Sequence, residues 1–151
     1  MIDIKRLYEF GLEIKASNIG INHFRMVDGP DKLVESLKDL TKEENHILII
    51  ILPSHNSNGS TSFDDLKYNN FTQFLVLEKF DIRTIENNFE EMSVFFRTFE
   101  TMKRLIDKMT NDFYERKEFC GLMSSIKAGT LQIDPVRHQS ETSGYSLVFT
   151  F

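Results

Sequence analysis

Residues 84–119 read TIENNFEEMSVFFRTFETMKRLIDKMTNDFYERKEF, and the spacing of the apolar side chains in this stretch decides the fold. Ile85, Phe89, Met92, Phe96, Phe99, Met102, Ile106, Met109 and Phe113 recur at steps of three and four, which sets them in one row along a helix. Glu86, Glu90 and Glu91 crowd the first turns, while Lys103, Arg104, Lys108, Arg116 and Lys117 crowd the later ones, the order a helix macrodipole favours. Thr84 stands where an N-cap belongs, and Gly121 stands where a left-handed residue can close the helix. The expectation is one long amphipathic helix from Thr84 to about Phe119 whose row must find a large apolar partner. Val94, Phe95, Leu105 and Tyr114 widen the face beyond the narrow seam of a two-stranded coiled coil, so the expected partner is a core. Each of those side chains, if fully buried, contributes on the order of 1.5 to 3 kcal/mol before entropy. On this reading Phe99→Ala is expected to cost about 3 to 5 kcal/mol.

The segments on either side supply that partner. Ile4, Leu7, Tyr8 and Ile14 make Met1–Ala16 a first amphipathic helix, weakened by Gly11 in its interior. Residues from Asn18 to Val27 have no helical period and suit a short strand. Asp28-Gly29-Pro30 opens a second helix to about Thr41, carried by Leu33, Val34, Leu37 and Leu40. His46–Leu52 is apolar on both alternating faces, as expected of a mid-sheet strand covered above and below. Phe71–Asp81 alternates well enough to return beside it, and Leu122–Val136 reads as extended with a turn at Lys127–Thr130. A polar loop over Arg137–Ser143 then leads to a last strand, Gly144–Phe151, alternating Tyr145, Leu147, Phe149 and Phe151 against Ser146, Val148 and Thr150. The expected fold is α+β: one domain over residues 1–151, with a mixed or antiparallel sheet on which the long helix and the shorter N-terminal helices pack.

Composition limits the function. With 18 Lys and Arg against 23 Asp and Glu, the net charge of −5 leaves no basic footprint for direct nucleic-acid binding. The single cysteine, Cys120, excludes an internal disulfide and is read as a small hydrophobe in a cytoplasmic protein. The longest apolar run, Ile47–Leu52, is too short to span a bilayer. His23, His46, His55 and His138 have no metal-ligand spacing, and no calcium-loop pattern surrounds Asp64-Asp65. There is no phosphate-binding glycine loop and no nucleophile elbow, so the chain is read as a non-enzyme without catalytic, cofactor or metal residues. Fourteen Phe and no Trp are read as compositional bias.

Between the two central strands, residues 53–70 form a polar Ser/Asn/Gly-rich stretch too long for a tight turn. Ordering such a loop is costly unless something binds it, which makes it a candidate partner-binding arm through His55, Asn56, Asn58, Asp64, Asp65, Lys67 and Tyr68. The alternative is a surface insertion, which loop-closure entropy tolerates.

One resemblance adds to this. Leu131-Gln132-Ile133-Asp134-Pro135-Val136, a polar loop, and Gly144-Tyr145-Ser146-Leu147-Val148-Phe149-Thr150-Phe151, following a long helix, resembles the closing strand pair of small phage tail-completion or neck proteins encoded in prophages. The order of elements is similar to the tail-terminator type. That resemblance implies a sheet with helices packed on it, a hexamer-like ring of identical subunits, and a tail tube or connector as partner, with no catalytic residue. A different class also fits the elements: a small-molecule or protein-binding module with an apolar pocket between sheet and long helix.

Overall fold

The computed structural model describes residues 3–57, 68–115 and 126–151. It is an α+β fold built from α1 (Ile4–Ala16), β1 (His23–Val27), α2 (Pro30–Lys38), β2 (Ile47–Ser57), β3 (Tyr68–Lys79), α3 (Asn88–Glu115), β4 (Gln132–Gln139) and β5 (Thr142–Thr150). The five strands form one mixed sheet in the order β1-β2-β3-β5-β4. β1 runs parallel to β2, with α2 crossing between them, and the other neighbours are antiparallel.

β2 lies inside the sheet, as its doubly apolar sequence requires. Ile47 and Ile49 join Leu75 and Leu77 under α2, while Leu48 and Ile50 join Phe74, Val76 and Leu147 under α1 and α3. The larger core lies on the α1/α3 side, where Phe74 meets Phe149 edge-on at 5.0 Å and Phe10 at 6.3 Å. Several of the phenylalanines thus fill the interior. Gly11 is buried in α1 because the Phe24 ring occupies the place of a side chain there. Gly144 has the same origin in the sheet, since a Cβ would stand 2.1 Å from the Val76 carbonyl oxygen.

Several boundaries differ from the sequence reading. The first strand is shorter than Asn18–Val27, because Asn18 and Gly20 turn the chain with φ of 56° and 97°. α2 ends at Lys38. The loop expected over Arg137–Ser143 is a tight hairpin, with Ser140 and Glu141 both at positive φ (49° and 61°). Neither residue signals such a turn in the way Asn-Gly does. The long helix starts at Asn88, with Asn87 as its cap accepting from the Glu90 N–H at 3.0 Å, while Thr84 belongs to a separate 3-10 turn, Ile82–Thr84. Its expected end near Phe119 and Gly121, with Cys120, lies outside the described residues.

The phase of α3 also differs. The face on the sheet carries Val94, Phe95, Thr98, Thr101, Met102, Leu105 and Met109, whereas Phe89 is 73% exposed and Phe96 55%. Steps of three outnumber steps of four between Phe89 and Met109, so that row winds around a straight helix and meets the sheet only in its later half. Thr98 takes a buried place by donating its hydroxyl to the Val94 carbonyl at 2.8 Å. Phe99, expected in the core, lies half out on the Tyr145 ring at 5.0 Å, with the Lys103 ammonium 5.7 Å from its centroid.

Candidate functional site

The stretch expected as a loop over residues 53–70 is partly strand. β2 and β3 stay paired through Ser54↔Phe71, His55↔Asn70, Asn56↔Asn69 and Ser57↔Tyr68, past a register shift between Ile51 and Ser54 that brackets Pro53. Pro53 has no N–H to give the ladder, which is why the pairing slips there. β1 has already ended opposite Ile51, and β5 reaches only Phe71 through Thr150. Residues 54–57 and 68–70 therefore form a two-stranded ribbon beyond both neighbouring strands. Of the predicted partner-binding residues, His55, Asn56 and Tyr68 stand on this ribbon's backbone ladder, whereas Asn58, Asp64, Asp65 and Lys67 lie outside the described residues. An isolated two-stranded ribbon is marginal in water, so its length calls for a second surface.

A second feature follows from the phase of α3. One flank of the helix turns toward α1 and β2, through Thr101 to His46 and Lys108 to Glu13. The opposite flank turns toward β5 and β4, where Phe95 and Phe99 meet Tyr145 and Arg137 bonds Glu91 at 3.0 Å over the Phe95 ring. Phe89 and Phe96, ring centroids 6.5 Å apart, stand farther round still, on the face of the helix turned away from the sheet, and Ile133 is half-exposed on β4. The outer face of α3 thus presents an aromatic pair to solvent.

A third feature, which no spacing in the sequence announces, is a polar cluster gathered from β3, α3 and the residue just before β2. Glu78, 8% exposed, accepts from Arg97 Nη2 at 2.6 Å on one carboxylate oxygen. Its other oxygen takes Arg97 Nε at 3.0 Å and His46 Nε2 at 3.1 Å. An ionised carboxylate only accepts, so His46 donates to Glu78 from Nε2, while its Nδ1 lies 2.7 Å from the Thr101 hydroxyl. Burial alone would raise the Glu78 carboxyl, but the hydrogen bonds and charges of His46 and Arg97 outweigh it and hold the group below its ordinary 4.5.

Thr101, His46 and Glu78 have the connectivity of a hydroxyl–imidazole–carboxylate relay. The hydroxyl is nevertheless sealed at 2% exposure under a helix, and Arg97 occupies both carboxylate oxygens. What the arrangement can do is lock α3 to the sheet across sequence separations of 19 to 55 residues. Beside it, Asn45 clasps Lys79 through both amide atoms, at 2.8 and 2.7 Å. His23 meets Glu44 at 2.9 Å and accepts from Arg25 Nε at 3.1 Å, and burial lowers its pKa.

An open pocket of about 510 Å³ lies at the β1 edge, lined by Ile4, Tyr8, Met26, Asp28, Lys32 and Leu52 among others. Between the sheet and α3, by contrast, Phe10, Phe74, Met102, Leu105 and Phe149 fill the space. Among the described residues no three His, Cys, Asp or Glu side chains gather as a metal site, and no helix is long and apolar enough to cross a membrane. Compared with known proteins, the chain matches no family model and no curated sequence.

Proposed function

We propose that this chain is a non-enzymatic assembly protein, a tail-terminator-like ring subunit of a phage or phage-like tail that assembles in the host cytoplasm and grips a tail tube or connector protein through the arm between β2 and β3. The observation that carries this reading is the ribbon of residues 54–57 and 68–70, which extends the central hairpin past both flanking strands. A polar ribbon without sheet neighbours adds little to folding, so its use lies in contact with something else. The open edges β1 and β4 stand at opposite ends of the sheet, as joining copies into a ring requires. The net charge of −5 suits a ring through which nucleic acid passes without adhering.

Replacing residues 55–70 by an Asn-Gly turn tests the reading. The shortened chain is expected to melt within a few degrees of the wild type while losing co-sedimentation with purified tail tubes. Undiminished co-assembly without the arm would refute the arm's role. The other reading, a small-molecule or protein-binding module, draws on the pocket at the β1 edge.

A further inference from the structure

At the β1 edge a line of hydrogen bonds ties the strand to the end of α2. His23, Arg25 and Val27 alternate onto one face of β1, the face whose Val27 joins the core under α2. Arg25 Nη1 donates to the Ser36 carbonyl in the last turn of α2 at 3.0 Å, and its Nε donates to His23 Nε2 at 3.1 Å. Across the ring, His23 Nδ1 lies 2.9 Å from the Glu44 carboxylate. A guanidinium can only donate, so Nε2 accepts and the imidazole is neutral, its proton on the nitrogen that faces Glu44. Arg25 thereby caps one of the carbonyls that a helix end leaves without an intrahelical partner. We propose that His23 is a proton-sensitive latch, independent of the assembly reading above: neutral, it steadies Arg25 against the end of α2, and protonation turns Nε2 into a donor facing a guanidinium, which drives Arg25 off and loosens the last turn of α2 from β1.

The groups around the ring set the direction of the response. Burial, the largest effect, disfavours the imidazolium; Glu44 favours it, while Arg25 on the same strand and Lys15 in the last turn of α1 oppose it, and the balance holds His23 below its ordinary 6.5. The backbone of His46 adjoins His23, its carbonyl accepting from the His23 N–H at 3.4 Å, but the His46 ring turns to Glu78 and Thr101. Because the folded value is lower than the unfolded one, the stability that neutral His23 supplies is complete above about pH 6.5 and is lost as the pH falls from there through the lowered folded value. Glu78 begins to lose its charge only nearer pH 4.5, so the latch responds first.

Lys79 Nζ caps the Leu37 and Lys38 carbonyls from β3, at 3.0 and 3.3 Å, and its charge is unaffected in this range, so α2 stays on the sheet while its β1 side loosens. Ser36, Met26 and Val27 also line the pocket at the β1 edge, so the change reaches that pocket's wall.

The test follows the full chain by NMR from about pH 8 to about pH 4.5. The His23 ring is expected to titrate below 6.5. Hydrogen exchange of the α2 amides, corrected for the pH dependence of the chemical step, is expected to quicken roughly three- to tenfold between about pH 7.5 and about pH 5, the factor that loss of one hydrogen bond gives. Glutamine can accept from Arg25 and donate to Glu44 without titrating, so His23→Gln is expected to keep α2 exchange level over that range. Arg25→Gln removes the charge set against the ring and is expected to raise the His23 pKa. A ring that titrates at or above 6.5, wild-type exchange that stays flat, or an acid rise that persists unchanged in His23→Gln would each overturn the proposal. Should His23→Gln prove unfolded by circular dichroism, Arg25→Gln decides in its place, and a His23 pKa that fails to rise there overturns the latch as well.

Discussion

At Glu78 the opposing effects of burial and pairing can be weighed directly. Its carboxylate is buried, yet its folded pKa lies below the ordinary value because Arg97 and His46 bond the ionised form. The stabilisation from this group is therefore complete above about pH 4.5 and is lost as the pH falls through the lowered folded value. Glu78→Gln should cost about 1 to 3 kcal/mol at pH 7, discounted because Arg97 is half exposed. It should also flatten the acid limb of stability, which urea melts between pH 7 and 3 would measure. Gly144 offers a steric test. Gly144→Ala places a methyl against the Val76 carbonyl and should destabilise by about 1 to 3 kcal/mol by forcing β5 away from β3, read as a lower urea midpoint. None of this was legible in the sequence. Glu78 lies in β3, Arg97 and Thr101 in α3 and His46 just before β2, and no spacing rule connects them.

For the elements, sequence reading was strongest where one face repeats and weakest where the backbone turns. The three α-helices follow from periodicity, as do the cores of β2, β3 and β5, whereas the strand ends at residues 54–57 and 68–70 and the Asp3 cap of α1, which accepts from the Lys5 and Arg6 N–H groups, were not read. The hairpin at Ser140–Glu141 escaped because two ordinary residues adopt a conformation usually left to Gly and Asn. On α3 the period was right and the phase was wrong. A pair of substitutions separates the two phases: Leu105→Ala should cost about 2 to 5 kcal/mol. Phe96→Ala should stay within about 0.5 kcal/mol, since its ring is mostly in water. Thermal or urea melts of the two variants would read the difference; the reverse order would place the long row of Phe and Met on the sheet after all. Phe99→Ala falls between them, because its ring leans on Tyr145 at the margin of the core.

In the whole molecule, the sheet order determines which surfaces are left over. Placing β1 at one end leaves the pocket beside it, while the phase of α3 turns Phe89 and Phe96 to solvent on the side away from the sheet. The antiparallel pairing of β2 with β3 turns part of a polar stretch into a ribbon that leaves the sheet. By itself the sequence determined the fold class, the interior place of β2 and the presence of one long amphipathic helix, because these follow from which side chains avoid water and at what period they recur. Tertiary structure alone decided which face of α3 meets the sheet and which is left to solvent. It also decided that His46 should meet Glu78 and Thr101 and that residues 54–57 and 68–70 should pair. Those outcomes depend on the distances between elements, and a linear period carries no information about distance.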